Sequence, residues 1–138
     1  VLAHEIGHYK KNHIVKGLIM SLVQSAFMIW LLWVAIDVPA MSLALGAPEA
    51  SFYMGIVAFG LLFSPVSLLT GILSNITSRK FEYQADAFAK KNYSGKALIN
   101  ALIKLSVKNL SNLTPHPAYV FFHYSHPPIL QRKKALED

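Results

Sequence analysis

The sequence predicts a mostly α-helical integral membrane protein with two transmembrane helices. Of the 138 residues, 54% are hydrophobic and only 14% are charged, whereas a typical soluble domain is less apolar and more highly charged. Residues 17–36 and residues 52–73 contain no charged and no histidine side chain. As a helix each stretch is about 30 Å long, which matches the hydrocarbon core of a bilayer. The alternative is a pair of core helices in a soluble protein, but a domain of this size could hardly bury two such long apolar helices.

The distribution of charge predicts the orientation in the membrane. All 13 lysines and arginines lie either within residues 10–16 or from Arg79 onward, and the connecting segment 37–51 carries only Asp37 and Glu49. The positive-inside rule therefore places both termini in the cytosol and segment 37–51 outside as an external loop. The net charge of +6 accompanies no nucleic-acid-binding motif. We therefore expect the basic residues to face anionic lipid of the bilayer and expect no nucleic acid partner.

An H-E-x-x-H motif lies just before the first apolar stretch, in His4-Glu5-Ile6-Gly7-His8. On a helix His4 and His8 share one face, so both imidazoles can bind one metal ion. Glu5 lies beside them, where its carboxylate can take a proton from metal-bound water. The motif predicts that residues 1–16 form a zinc-binding helix, with His4 and His8 as ligands of one Zn²⁺ per chain and Glu5 as the catalytic base.

A third zinc ligand is predicted by elimination. The chain has Lys11 and Ile14 where an H-E-x-x-H-x-x-G-x-x-H protease has its glycine and third histidine. Of the remaining acidic residues, those of the external loop are across the membrane and those at the C-terminus are at the chain end. Glu82 and Asp86 are left, four residues apart on a predicted helix. We expect Glu82 to complete a zincin site of the gluzincin type and Asp86 to accept a hydrogen bond from a ligand imidazole; the alternative is an ordinary solvated helix face.

Four elements follow one another in order: the H-E-x-x-H motif, the two apolar stretches, Glu82-x-x-x-Asp86, and Tyr124-Ser125-His126-Pro127-Pro128 followed by Arg132. In this order they resemble the type I CAAX prenyl protease family of membrane zinc peptidases. The wider family also includes the HtpX-type proteases. The resemblance implies that zinc is bound by His4, His8 and Glu82 and that His126 and Arg132 serve the reaction centre. It also implies a C-terminal fragment, so we expect a further N-terminal part of the same polypeptide.

The C-terminal residues 78–138 are expected to hold the third-ligand helix and further parts of the site on the cytosolic side. Pro127 restricts His126 to an extended conformation, from which its imidazole can stabilise an oxyanion. Arg132 can pair with an acidic residue of the site or with a substrate carboxylate. His13 is off the ligand face and is expected at the surface.

Other C-terminal segments have predicted structural roles. Residues 96–110 have helical apolar spacing and predict an amphipathic helix. Residues 111–117 are expected to form a loop. Residues 119–124 fit a strand, a substrate wall or an interfacial anchor.

Together these features predict a membrane zinc endopeptidase with its active site facing the cytosol, in a bacterial inner membrane or the endoplasmic reticulum. By resemblance its substrates are peptides or proteins such as prenylated or membrane-tethered chains, cleaved in CAAX-type C-terminal processing. One alternative is an HtpX-like protease for quality control of membrane proteins. Another is a zinc-binding membrane scaffold without turnover, although Glu5 has no evident purpose in a scaffold.

Overall fold

The computed structural model describes residues 1–36 and 38–138, which form helices and connecting turns with no strand among them. Asp37, an acidic residue of the predicted external loop, lies outside the described residues. The chain divides into two compact units, one of Val1–Gly17 with Gly71–Asp138 and one of Leu18–Thr70. The helices of the described residues are α1 (Leu2–Lys10), α2 (His13–Ile36), α3 (Pro39–Ala44), α4 (Phe52–Asn92), α5 (Gly95–Lys108), α6 (Pro117–His123) and α7 (Ile129–Glu137).

Helices α2 and α4 are long and apolar enough to cross a membrane. Only 6% of the most apolar stretch of α2 and 11% of that of α4 are buried, so neither is the buried core helix of a soluble domain. The predicted mostly α-helical chain with two long apolar helices is therefore confirmed. Their exposed apolar side chains suit a lipid environment, because lipid imposes no cost on apolar surface.

Helix α4 continues well beyond its apolar part, from Phe52 to Asn92 over 41 residues. The sequence predicts the second apolar stretch and the third-ligand helix as separate elements, whereas the structure joins them in one helix. Pro65 lies inside the helix and cannot donate to the carbonyl four residues earlier, that of Leu61. The Ser64 hydroxyl donates to this carbonyl instead, at 2.8 Å. The helix therefore passes the proline and carries the polar residues that follow the apolar part.

Within the unit Leu18–Thr70, polar contacts and close packing join the apolar helices. Gln24 of α2 donates to Thr70 Oγ1 of α4 at 3.0 Å. A Cβ at Gly55 would lie 2.9 Å from the carbonyl oxygen of Ile36, so only glycine fits at this approach of α4 to the end of α2. The described part of the predicted external loop contains α3.

The other unit has a small apolar core between the end of α4, α5 and α7. Its buried members are Ala89, Leu98, Ile99 and Leu136. Helix α5 agrees with the amphipathic helix predicted over residues 96–110, and Ser94 caps its first turn by accepting the Ala97 N–H at 3.2 Å. This core fixes α7 against α4 and α5.

Helix α6 covers residues for which the sequence left three interpretations open, and the strand interpretation is wrong. Pro117 begins the helix, and the His116 side chain caps it by accepting the Ala118 N–H at 3.2 Å. At its other end the Val120 carbonyl accepts the Tyr124 N–H at 3.1 Å, and the carbonyls that follow are beyond the reach of intrahelical donors. Arg79 donates to the carbonyls of Val120 and Tyr124, and Asn75 donates to that of Phe122 at 2.9 Å.

Arg79 should therefore hold α6 and the following turn in place, because hydrogen bonds from a charged donor contribute about 1.5–3 kcal/mol. We expect Arg79→Ala to raise hydrogen exchange of the backbone amides of residues 119–126 and to lower the melting temperature. Lys80→Ala is the matched control, since Lys80 is the exposed neighbour. Equal exchange in the two variants would show that Arg79 does not hold this segment.

Candidate metal centre

Helix α1 presents two histidines on one face. The Nε2 atoms of His4 and His8 lie 3.1 Å apart, with the rings at an edge-to-face angle of 72°. His4 is buried and His8 is partly buried. Two imidazole nitrogens this close can both direct a lone pair at the same point, which is the arrangement that the H-E-x-x-H spacing predicts.

Glu82 of α4 reaches the same point. Its carboxylate oxygens lie 3.2 Å from His8 Nε2 and 3.5 Å from His4 Nε2, and Glu82 is only 5% exposed. Ligands about 2.0–2.1 Å from a tetrahedral zinc would be about 3.3–3.5 Å from one another. Two imidazoles and one carboxylate at these separations fit zinc in both donor type and spacing, and one side remains open.

Asp86 fixes the orientation of His4 from behind. His4 Nδ1–H donates to Asp86 Oδ1 at 2.8 Å, which leaves Nε2 of the neutral ring with its lone pair towards Glu82. Arg132 of α7 donates to both oxygens of Asp86, from Nε at 2.8 Å and from Nη2 at 2.7 Å. Its Nη1 lies 3.0 Å from Glu82 Oε2. One guanidinium therefore holds both acidic residues.

Asp86 and Arg132 form a buried pair of opposite charges. Asp86 is 2% exposed and Arg132 8%. Both groups lie outside the apolar part of the long helices. Burial alone would raise the pKa of Asp86, but hydrogen bonds from His4 and Arg132 outweigh it and lower the pKa below its ordinary value. Burial opposes the charge of Arg132, and Asp86 and Glu82 outweigh that effect and raise the pKa of the guanidinium. The pair stays ionised because each partner compensates the other.

Gly7 allows α1 to approach α4 closely enough to bring these ligands together. A Cβ at Gly7 would lie 3.0 Å from Ala85 Cα, 3.1 Å from the Ala85 carbonyl oxygen and 3.2 Å from Phe88 Cβ. Ala85 itself is fully buried at this crossing. Since Gly7 lies between His4 and His8, the helix crossing and the candidate metal site share the same few residues.

The open side of the three candidate ligands faces a cavity of about 430 Å³. Glu5 is exposed and lines this cavity beside them, within the same space that a water or a peptide would enter. Leu98, Leu102 and Leu105 of α5 also line the cavity and give it an apolar wall. The cavity therefore combines a candidate metal site, a free carboxylate and an apolar wall.

His126 stands at the rim of the cavity. Its Nδ1 lies 3.2 Å from Glu82 Oε1, and its side chain is 69% exposed. Pro127 and Pro128 are buried, so they anchor the turn while the imidazole remains accessible. Of the two predicted reaction-centre residues, His126 is open to a substrate and Arg132 is buried under the acidic residues.

His13 was expected at the surface, and the structure contradicts this. It is 3% exposed, and its Nδ1 lies 3.1 Å from His8 Nδ1. Five residues correspond to about 140° around a straight helix, but the helix is not straight here. Asn12 has a positive φ of 55° between α1 and α2, a conformation that asparagine tolerates well. This break turns His13 back towards His8.

Sequence reasoning also missed Gln84, whose Oε1 lies 2.9 Å from His13 Nε2. Residues two apart on a helix do not share a face, so the position of Gln84 after Glu82 in α4 gave no signal for this contact. The remaining histidines stay away from the cavity: His116 caps α6, and the exposed His123 contacts Tyr119 at a ring separation of 4.7 Å.

Comparison with known proteins identifies the family. The family model described as Peptidase family M48 matches residues 1–138, the whole chain. This chain belongs to peptidase family M48. The resemblance inferred from the sequence motifs is confirmed by this match and by relatives that carry the name CAAX prenyl protease 1.

Several curated relatives match along the whole chain. The M48 chain is 39% identical to CAAX prenyl protease 1 homolog of Homo sapiens, over 99% of this chain and 29% of the relative. It is 37% identical to CAAX prenyl protease 1 of Saccharomyces cerevisiae, over 99% of this chain and 34% of the relative. The crystal structure of S. mikatae Ste24p matches with a TM-score of 0.86 and 34% identity, covering 100% of this chain and 36% of that chain. The M48 chain therefore spans about a third of the length of these proteins.

The close approach at Gly7 predicts that Gly7→Ala destabilises the M48 chain. The added methyl group would meet α4 backbone, and overpacking of this kind costs about 1–3 kcal/mol. Gly17→Ala is the matched control, because Gly17 is also in a helix but has nothing within 4 Å of an added Cβ. We expect a lower melting temperature in detergent for Gly7→Ala and an unchanged or higher one for Gly17→Ala. A similar response of the two variants would contradict this role of Gly7.

The Asp86–Arg132 pair predicts strong coupling between its members. Removing Asp86 leaves the buried Arg132 with only Glu82, and removing Arg132 leaves the buried Asp86 with only the hydrogen bond from His4. Loss of one partner of a buried ion pair costs about 3–5 kcal/mol. We therefore expect Asp86→Ala and Arg132→Met each to lower the melting temperature strongly, and the double variant to lose less than their sum. Lys133→Met is the control, since Lys133 pairs with the exposed Glu137 at 3.8 Å and such a surface pair contributes little. Additive losses would mean that the pair does not act as a unit.

Proposed function

We propose that this chain carries the catalytic residues of a membrane zinc endopeptidase. One Zn²⁺ would be held by His4, His8 and Glu82, with Glu5 as the general base. The observation that carries the proposal is that the three ligand atoms lie within 4.8 Å of one another, in the cavity that Glu5 also lines. A trio of two imidazoles and one carboxylate with an open side is typical of catalytic rather than structural zinc sites.

The chemistry that a bound zinc supplies at such a site is Lewis acidity, which polarises a peptide carbonyl and acidifies water. Glu5 would accept the proton of the attacking water and deliver it to the nitrogen of the leaving amine. Its exposed position in the cavity suits this exchange, since a general base must come within hydrogen-bond reach of the proton that it takes. Glu5 makes no ion pair within the described residues, so its carboxylate is free for this task.

His126 and the buried pair would have different tasks. The accessible imidazole of His126 would donate a hydrogen bond to the carbonyl oxygen as negative charge develops there. Asp86 would hold His4 in the tautomer that exposes Nε2, and Arg132 would hold Asp86 and Glu82 in place. In this proposal Arg132, which is buried and also lines the cavity, supports the reaction centre through Asp86 and Glu82.

The proposed substrate is the C-terminal region of a prenylated or otherwise membrane-tethered peptide, cleaved in CAAX-type processing. The name CAAX prenyl protease 1 of the relatives supports this class. The apolar wall formed by Leu98, Leu102 and Leu105 supports it as well, since it offers an apolar peptide a surface beside Glu5.

The proposed topology has residues 17–36 and 52–73 as the membrane spans, 37–51 outside, and residues 1–16 and 78–138 in the cytosol. The lysines and arginines that flank the spans support this orientation. The active site would then face the cytosol, where the C-termini of prenylated proteins are exposed, in a bacterial inner membrane or the endoplasmic reticulum.

Metal content and turnover test the proposal separately on the intact protein purified in detergent. Elemental analysis should find about one zinc per chain in the wild type. Glu82→Ala should lose it, because a ligand is removed. Glu49→Ala should keep it, since Glu49 is an exposed carboxylate of the connecting segment. A wild type without zinc would refute the proposal.

Glu5→Gln should keep its zinc and lose turnover of a farnesylated C-terminal peptide by about 10²–10⁴-fold, the usual contribution of general acid–base catalysis. The same peptide without the prenyl group and an unfolded membrane protein are the comparison substrates. Preference for the unfolded protein would indicate an HtpX-like quality-control protease. Unchanged activity of Glu5→Gln with zinc still bound would favour the scaffold without turnover.

A further inference from the structure

A second line of hydrogen bonds reaches the candidate metal site through His8, whereas Asp86 reaches it through His4. His13 Nδ1 lies 3.1 Å from His8 Nδ1, and His13 Nε2 lies 2.9 Å from Gln84 Oε1. His13 is buried and stacks on Phe81, with ring centroids 4.3 Å apart and an interplanar angle of 8°. A buried, stacked imidazole has one orientation, so both of its nitrogens have fixed partners.

The positions of the protons follow from these partners. An amide oxygen only accepts, so His13 Nε2–H donates to Gln84 Oε1, and a neutral His13 then has its lone pair on Nδ1. His8 must therefore donate its Nδ1–H to His13. This leaves the lone pair of His8 on Nε2, the atom that faces His4 and Glu82. With the amide of Gln84 reversed, every proton would move and His8 Nε2 would carry a hydrogen, which cannot bind a metal.

The two candidate histidine ligands thus have different hydrogen-bond partners at Nδ1. His4 is held by the charged Asp86, and Arg132 holds Asp86 in turn. His8 is held by a neutral imidazole and an amide. In both cases the partner at Nδ1 leaves Nε2 free. The neutral pair of His13 and Gln84 does so without placing a negative charge beside the His8 ring.

We propose that His13 and Gln84 are positioning residues that fix the tautomer and the ring orientation of His8 for metal binding. This inference rests on the proposed function, in which His8 is a zinc ligand. Loss of an outer hydrogen-bond partner of a ligating histidine weakens metal affinity about 10- to 100-fold. The acceptor atom at Nδ1 of His13, and not the bulk of its ring, is what His8 requires.

Two substitutions of His13 separate the acceptor from the ring. His13→Phe keeps a stacked ring on Phe81 but has no acceptor for His8. His13→Asn loses the stacking, but its amide oxygen can occupy the position of Nδ1 and accept the proton. We expect His13→Phe to bind zinc about 10- to 100-fold more weakly than the wild type, and His13→Asn to bind it more tightly than His13→Phe. Competition with a chromogenic chelator on the intact protein measures both, and His123→Phe is the control at an exposed histidine.

Gln84→Leu provides an independent variant, should His13→Asn fail to fold. It removes the acceptor that sets the tautomer of His13 while leaving His13 in place, and it should weaken zinc binding. Zinc affinity in His13→Phe and Gln84→Leu equal to that of the wild type would overturn the inference. The inference would also be overturned if His13→Asn and His13→Phe were both folded and lost the same amount of zinc affinity.

Failure of this inference is distinguishable from failure of the proposed function. If the wild type binds zinc, Glu82→Ala loses it and His13→Phe retains full affinity, the metal site stands and the positioning role is refuted. If the wild type binds no zinc, the proposed function and the positioning role of His13 both fail. The Co²⁺-substituted protein adds a spectroscopic test, since its visible absorption should change in His13→Phe and remain near that of the wild type in His123→Phe.

Discussion

The buried carboxylate of Asp86 is the interaction on which the candidate site depends. It accepts hydrogen bonds from His4, 82 residues earlier in the chain, and from Arg132, 46 residues later. An ionised carboxylate that is 2% exposed is costly unless it is fully compensated. The three segments that supply these groups must therefore meet, and the arrangement that compensates Asp86 also directs His4 Nε2 at Glu82. The contacts that compensate the charge of Asp86 are therefore the same contacts that orient the candidate ligand His4.

The site has a closed side and an open side. Glu82, Asp86 and Arg132 are buried, whereas Glu5 and His126 are exposed. Groups that orient a metal ligand work best when packing and hydrogen bonds restrict them, and groups that exchange protons with a substrate need access to it. The close crossing at Gly7 contributes to the closed side, because it sets the distance between the helices that carry the candidate ligands. The proposed peptidase chemistry uses both sides.

Much of the site could be predicted from the sequence, because its signals are local. His4 and His8 are one helical turn apart, as are Glu82 and Asp86, and such pairs share a face whatever the rest of the fold does. The prediction for His13 was wrong because one backbone torsion, the positive φ of Asn12, interrupts the helix and redirects everything after it. The interpretations of residues 119–124 were a strand, a substrate wall and an interfacial anchor, and did not include the helix α6, since aromatic residues are enriched in strands.

The sequence by itself determined the family, the two long apolar helices and the residues able to bind a metal. The family follows from the resemblance of its ordered motifs, and the other two follow from composition and from periodicity along a helix. None of these requires knowledge of distant contacts. Only the tertiary structure decided that Arg132 lies beneath Asp86, that His13 and Gln84 stand behind His8, and that His126 reaches the rim of the cavity. Each of these depends on contacts between residues far apart in the chain. Such contacts are set by packing and by the compensation of buried charge, which no local pattern specifies.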